Sequence, residues 1–340
     1  MWDAAYAFRF GHAPDTERLY SDPPSGHTVP IERIELPTPF PVGGVNAFFL
    51  DGAEPALVDT GCLTDESHDA LTRAIRGRRV ARVVITHGHV DHFGLAKRLQ
   101  DDHGAEILVH DADARALARF DEDAPRRRRA YREGLERAGV PHDDVERLWS
   151  QGQRFDAWGQ SVEPDGRLSD GDRLVLGDTD HEVMHAPGHT AGSIIVRSAD
   201  RNHTFTGDTI LPQITPNALS VARTERHALP TYLDTLRRLA DEDLGVIQPG
   251  HRKPFEDHAE AIRRALRHAE LRQGRLLTLL RTGPTTAYGL TQRLFHELPR
   301  DQLFLAVSEV LGHLGDLERR SAIERTEDQG IDRYAPIEAT

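Results

Sequence analysis

The sequence predicts a mixed α/β sandwich followed by a smaller helical unit, on three observations. Short apolar runs bounded by turn residues occur in both halves of the chain. Helical stretches are interspersed among them, and from Phe255 the composition turns helical almost to the end. Strands in both halves fit a sandwich better than a doubly wound parallel sheet. With 340 residues, the chain is long enough for about two domains.

The first thirty residues, with Pro14, Pro23, Pro24, Gly26 and Pro30, read as an extended lead-in (1–30). Strand-like runs follow at Ile31–Leu36, Ala47–Asp51, Ala56–Asp59 and Val80–Ile85. A helix is expected between the last two, with Thr64 as N-cap and Asp65 and Glu66 in its first turn. A second helix is expected to start just after His92, and Glu106–Val109 reads as another strand. From Asp111 to about Trp158 the apolar positions are sparse and helically spaced, with breaks expected at Pro125 and Pro141. This is read as a helical insertion (about 111–158), and its basic run Arg126–Arg129 as a solvated helix face. Strands resume at Arg173–Leu176, Glu182–Ala186, Ser193–Arg197, Thr204–Thr206 and Val246–Gln248. In the tail, Leu303, Val307, Val310, Leu311, Leu314 and Leu317 keep a 3.6-residue period, which predicts an amphipathic helix over Asp301–Arg320. Ile323–Arg325 and Ile331–Tyr334 flank a turn and predict a hairpin. Helices followed by a hairpin outline a winged-helix shape for 255–340, after a main unit spanning 31–254.

Composition narrows the function. The single cysteine, Cys62, excludes an intrachain disulfide framework and a thiolate-rich metal site, and it is read as an ordinary packed thiol. No run approaches the length of a membrane span, and no basic-then-apolar leader opens the chain, so a cytoplasmic protein without a membrane partner is expected. The net charge of −13 argues against a surface that binds nucleic acid throughout.

The sharpest signal is Thr86-His87-Gly88-His89-Val90-Asp91-His92, directly after the apolar run Arg82–Ile85. On extended backbone His87 and His89 project to one side and can reach one ion, while Asp91 and His92 open a helix and point back toward the strand end. Imidazole and carboxylate together suit a borderline divalent ion. His189, Asp208 and His251 each follow another strand beside a glycine, and each is metal-competent. Asp59, in Val58-Asp59-Thr60-Gly61, also ends a strand and is read as a carboxylate that orients a ligand histidine. His181 and His185 are read as structural, and His110 and His227 have no spacing that recruits them.

These residues together resemble the metallo-β-lactamase-fold hydrolase superfamily over Ile31 to about Phe255. The resemblance implies an αββα metallo-β-lactamase sandwich with the metal site at one edge. It implies His87, His89 and His189 for a first ion, Asp91, His92 and His251 for a second, and Asp208 bridging both. Two divalent ions are expected, zinc ahead of iron or manganese. The helices and wing after the last histidine are similar to the tail of the lactamase-like protein 2 subgroup. Class B lactamases carry cysteine near the Asp208 position, so β-lactam hydrolysis is not expected. The inserted nuclease domain of the ribonuclease J type has no counterpart here.

The implied chemistry is attack by a metal-bridging hydroxide, oriented by Asp91, on a small carboxylic ester or thioester, as in hydroxyacylglutathione hydrolases. The alternatives are a phosphodiesterase or endoribonuclease acting on RNA, a mononuclear iron enzyme like the persulfide dioxygenases, and a catalytically silent metal-dependent binding module. Sequence-specific DNA reading is not expected, because the tail carries 12 arginines against 14 carboxylates. Its apolar stripe is expected to pack on the catalytic unit, walling the substrate cleft, or on a second copy in a homodimer. The insertion is expected to cap the metal edge as a lid.

Overall fold

A computed structural model describes residues 31–295 and 297–337; the lead-in expected over 1–30 lies outside them. Two sheets face each other. The first runs in the order β1 (Ile31–Leu36), β2 (Val45–Leu50), β3 (Ala56–Val58), β4 (Arg82–Ile85), β5 (Glu106–His110), β6 (Gly166–Leu168). The second contains β7 (Arg173–Leu176), β8 (Thr179–His185), β9 (Ile194–Ser198), β10 (His203–Gly207) and β11 (Val246–Pro249), ordered β11-β10-β9-β8-β7. β1 to β3 are hairpin-connected and antiparallel, whereas β3 to β6 are parallel because helices cross over between them. In the second sheet only β10 and β11 are parallel.

The period-2 alternation of strands explains the layering. Phe48, Leu50, Val58 and Val84 point between the sheets and meet Val196 and Phe205, with the Phe48 and Phe205 rings 5.1 Å apart. Their neighbours Phe49, Leu57 and Val83 point outward onto α1 (Asp65–Ile75) and the helices beside it. Met184, Ile195 and Ile247 on the other sheet meet α7 (Ala228–Leu239) and α8 (His258–Leu280). The result is the αββα sandwich. Thr64 caps α1 as expected, its hydroxyl accepting the Ser67 N–H at 3.2 Å, and Asp65 and Glu66 face the positive helix end.

Several expectations are corrected. Asp91 and His92 open a helix as expected, but it is only a single turn, α2 (Val90–Phe93). Gly94 closes it, and α3 (Ala96–His103) follows. The insertion holds α4 (Asp111–Ala118), α5 (Phe120–Arg137) and α6 (His142–Phe155). Pro141 precedes α6 as expected, but Pro125 lies inside α5. The break falls instead at Arg119, which leaves helical geometry with φ −118° and ψ 27°. Pro125 sits in the second turn and is exposed, so its missing N–H leaves one carbonyl to solvent. The solvated-face reading of Arg126–Arg129 holds for Arg126 and Arg129 only, since Arg127 and Arg128 are half-buried and paired with Asp156. β6 was not expected: Gly166-Arg167-Leu168 is three residues long and has no alternation to read.

The tail forms α8, α9 (Ala287–Leu294), α10 (Leu303–Arg319) and the hairpin β12 (Ile323–Asp328) and β13 (Ile331–Pro336). The stripe on α10 does not remain open. Val307, Val310 and Leu314 share one core with Leu276 and Leu290 of the tail and with Leu135, Val145 and Leu148 of the insertion. Ser308 of α10 also accepts the Ser220 N–H at 3.0 Å, and Asn217 donates to the Leu305 carbonyl at 2.9 Å, so α10 fixes the segment that follows β10. Among the described residues no helix is long and apolar enough to cross a membrane.

Candidate metal centre

Asp59 and the seven candidate ligands all lie just beyond the C-terminal end of a strand and converge on one edge of the sandwich. Asp59 follows β3, His87 to His92 follow β4, His189 follows β8, Asp208 follows β10 and His251 follows β11. The ring nitrogens and carboxylate oxygens fall into three groups whose atoms lie within 4.8 Å of one another: His87, His89 and His189; His87, His92 and Asp208; Asp91, His92 and His251. Asp208 lies between the outer sets. Its Oδ1 is 3.6 Å from His92 Nε2, and its Oδ2 is 3.7 Å from His189 Nε2 and 3.5 Å from His251 Nε2. Gly250 makes this approach possible, because a Cβ there would strike Asp208 Oδ1 and lie 2.7 Å from His92 Cε1.

Hydrogen bonds behind the cluster fix which nitrogen three of the rings present. Asp59 Oδ1 accepts the Thr86 N–H at 2.8 Å, and Oδ2 accepts both the Thr86 hydroxyl at 2.8 Å and His92 Nδ1–H at 2.7 Å. With its proton on Asp59, Thr86 Oγ1 accepts from His87 Nδ1 at 3.1 Å, which leaves His87 Nε2 as a lone pair. His251 Nδ1 donates to the Gly44 carbonyl at 2.8 Å and likewise presents Nε2. Asp59 adopts φ 61°, an uncommon conformation for a side chain, and the three bonds it accepts hold it there. The carboxylate expected to orient a ligand histidine therefore touches His92. Thr86 links it to His87, a contact that no spacing in the motif foretells.

The donors fit a metal. His87 Nε2 and His89 Nδ1 are 3.1 Å apart, and His92 Nε2, both nitrogens of His189 and Asp208 Oδ1 are buried without a hydrogen-bond partner. Such atoms are costly unless something binds them. Burial and the surrounding imidazoles hold His87 well below its ordinary range, and burial with His89 lowers His189 to about 3. Burial opposes charge at His92 too, but Asp59, Asp91 and Asp208 outweigh it and lift the ring to about 10. His251 is raised by Asp208 and Asp91 against the same burial. One side of the edge thus offers neutral imidazoles, and the other embeds its imidazoles among carboxylates. Cys62 is fully buried, and burial followed by the nearby Asp91 charge keeps its thiol protonated. His181 bonds to His203 at 3.0 Å, and His185 stacks on His110 at 4.0 Å, so neither joins the cluster.

The model of the metallo-beta-lactamase superfamily matches residues 40–251. The chain belongs to that superfamily. A second model, of a metallo-beta-lactamase-like C-terminal domain, matches residues 274–337 within the tail. Among curated relatives, the chain is 28% identical over 307 residues to the probable metallo-hydrolase YqjP of Bacillus subtilis, covering 87% of this chain and 94% of that protein. It is 32% identical over 205 residues to the human acyl-coenzyme A thioesterase MBLAC2, covering 58% of this chain and 64% of that protein. Among solved structures, a metallo-beta-lactamase family protein from Thermus thermophilus superposes with a TM-score of 0.75 at 27% identity, over 90% of this chain and 98% of that one. A beta-lactamase domain protein from Burkholderia ambifaria reaches 0.78 at 23% identity, over 90% and 92%, and shares the fold.

Proposed function

We propose that this metallohydrolase of the metallo-beta-lactamase superfamily cleaves thioesters and related carboxylic esters at a two-ion centre. His87, His89 and His189 hold one ion, Asp91, His92 and His251 hold the other, and Asp208 is shared. The observation that carries the two-ion reading is the position of Asp208, whose two oxygens reach toward both histidine sets at 3.5–3.7 Å. The mixed imidazole and carboxylate donors favour zinc, with iron and manganese as competitors.

When bound, the ions supply an activated water and a Lewis-acid hold on the substrate carbonyl. The remaining work belongs to the chain. Asp59, Thr86 and the Gly44 carbonyl keep His92, His87 and His251 in the tautomer that presents Nε2. Asp91 offers a carboxylate oxygen as the acceptor that orients the attacking water. The protonated, buried thiol of Cys62 supplies no competing nucleophile.

Thioester chemistry is supported by the acyl-coenzyme A thioesterase relative and by an apolar rim. Phe40, Phe155 and Trp158 form a three-ring cluster with centroids 4.9–5.7 Å apart, and Phe155 is 39% exposed. Phe40 lies on the loop that ends in Gly44, the partner of His251. The Trp158 carbonyl accepts the N–H of Leu63, just beyond Asp59. Such a surface suits an acyl group.

The test is elemental analysis of protein purified without added metal, followed by a panel of acyl thioesters, lactones and RNA. Two divalent ions per chain and chelator-sensitive thioester turnover are expected. RNA cleavage that depends on His87, with binding that falls steeply with salt, would replace the ester assignment with a nuclease. Full activity with one iron and no second ion would replace the two-ion centre.

A further inference from the structure

Asp113 lies outside every motif, on the first helix of the insertion, and is only 5% exposed. A buried carboxylate needs several donors, and this one has three. Its Oδ2 accepts the Gly88 N–H at 2.8 Å and the Thr190 hydroxyl at 2.6 Å, while Oδ1 accepts the Gly192 N–H at 2.8 Å. Gly88 stands between His87 and His89, and Thr190 follows His189. The loops carrying these three histidines come from opposite sheets, and one side chain from a third segment ties them together. Both glycines let backbone come close: a Cβ at Gly88 would lie 3.2 Å from Asp113 Oδ2, and one at Gly192 would lie 2.6 Å from its Cγ.

The other ligand set is braced differently. His92 leans on Asp59 and His251 on the Gly44 carbonyl, and neither contact involves the insertion. His189 has no hydrogen bond of its own to orient its ring, so its position depends on the loop that Asp113 holds.

We propose that Asp113 is a positioning residue for one of the two ions, fixing the separation of the His87–His89 loop and the His189 loop so that three imidazoles are preorganised for a single metal. The proposal rests on the ligand assignment given above. It makes the start of the insertion a brace for the metal edge, and it predicts that the two ions respond unequally to its loss.

The test uses the full chain, stripped with chelator and titrated separately with Co2+ and Zn2+, in wild type, Asp113→Asn and Thr190→Val. Asparagine keeps the shape, but it sets an NH2 group against a backbone N–H and leaves one loop without its acceptor. One ion should bind roughly 10–100-fold more weakly while the other is unchanged, and the Co2+ absorption bands of the weakened site should shift. Thermal melts of the metal-free proteins separate this from a general loss of stability. Wild-type affinity at both ions in Asp113→Asn, or equal weakening of both alongside a lower metal-free melting temperature, would overturn the proposal. Should Asp113→Asn fail to fold, Thr190→Val, which deletes one of the three bonds, must show the same one-sided weakening on a smaller scale, and its absence would be equally decisive. If wild type itself binds no divalent ion, the ligand assignment falls first and the brace with it. A failed brace on a metal-binding wild type leaves the assignment standing.

Discussion

The metal edge and the core of the tail both bury histidines, and they set charged side chains of opposite sign beside them. At the edge, against their burial, Asp59, Asp91 and Asp208 raise His92, and Asp208 with Asp91 raises His251, while burial and neighbouring imidazoles lower His87 and His189. In the tail, His313 on α10 is 3% exposed, and burial followed by the Arg272 guanidinium lowers it to about 3. The half-buried His268 on α8 is lowered to about 4 by burial and by Arg272 and Arg275. Arg272 itself is paired with Glu309, at 2.7 Å, and lies 4.9 Å from the Phe295 ring centre. The tail thus brings its own cation to its buried carboxylate. At the edge, among the described residues, the only basic side chains within 4.0 Å of the Asp91 and Asp208 carboxylates are histidines. Buried histidine is therefore no signal of a metal by itself. Histidines grouped with carboxylates that lack a protein cation are one, because that set is satisfied by an external cation.

The largest expected effect tests this contrast directly. Asp208→Ala removes the carboxylate shared by both sets and should lower kcat/KM by about a thousandfold, corresponding to several kcal/mol of lost transition-state stabilisation. Bound metal should fall below two ions per chain. His313→Leu changes a comparably buried residue in the tail and should leave metal content and turnover as in wild type. Elemental analysis and thioester assays on the two variants check both arms, and a metal loss in His313→Leu would break the comparison.

The next effect is a pH dependence of stability. The folded-state values of His268 and His313 lie below the ordinary 6.5, so on acidification the unfolded chain takes up protons first. The contribution of the neutral rings is fully present above about pH 6.5 and is lost progressively toward pH 4 and then 3. The slope is at most about 1.4 kcal/mol per pH unit for each histidine. Urea unfolding of the chelated protein between pH 7 and pH 5 should therefore be steeper in wild type than in His313→Leu. The edge contributes to both proteins alike, so the difference isolates the tail. Identical slopes would show that His313 does not differ from a solvated histidine.

The edge was far more legible in the sequence than the connection between edge and tail, and the reason is range. His87, His89, Asp91 and His92 lie within six residues, where backbone geometry alone decides which way side chains point. His189, Asp208 and His251 each follow a readable strand and sit beside a glycine. Asp113 was invisible, because its partners Gly88, Thr190 and Gly192 lie 25, 77 and 79 residues away and no local pattern marks the contact. The stripe of α10 could be read as buried, but its period does not say against what. Only the fold pairs it with Leu135, Val145 and Leu148 of the insertion. The insertion was expected to act as a lid. Its first helix reaches the metal loops through Asp113, its last two share the tail's core, and Phe155 and Trp158 at its end pack against Phe40.

The smallest expected effect concerns α5, which runs between these two attachments, and it decides the partner class. Arg127 and Arg128 are half-buried against Asp156, and Arg127 also lies 4.3 Å from the Phe120 ring centre, so both are part of the insertion's packing. Arg126 and Arg129 are exposed and lie one turn apart on the outer face. Replacing both as Arg126→Ser and Arg129→Ser should change stability by no more than about 0.5 kcal/mol and leave thioester turnover unchanged. Charge on that face matters only to a polyanion. For an RNA ligand, losing two phosphate contacts would weaken binding and reduce its salt slope by about 2. The same double variant would then connect the insertion to substrate rather than to the tail. A salt series on wild type and variant reads this out: overlapping weak binding keeps α5 as a structural link between edge and tail, and a reduced slope makes its outer face part of the site.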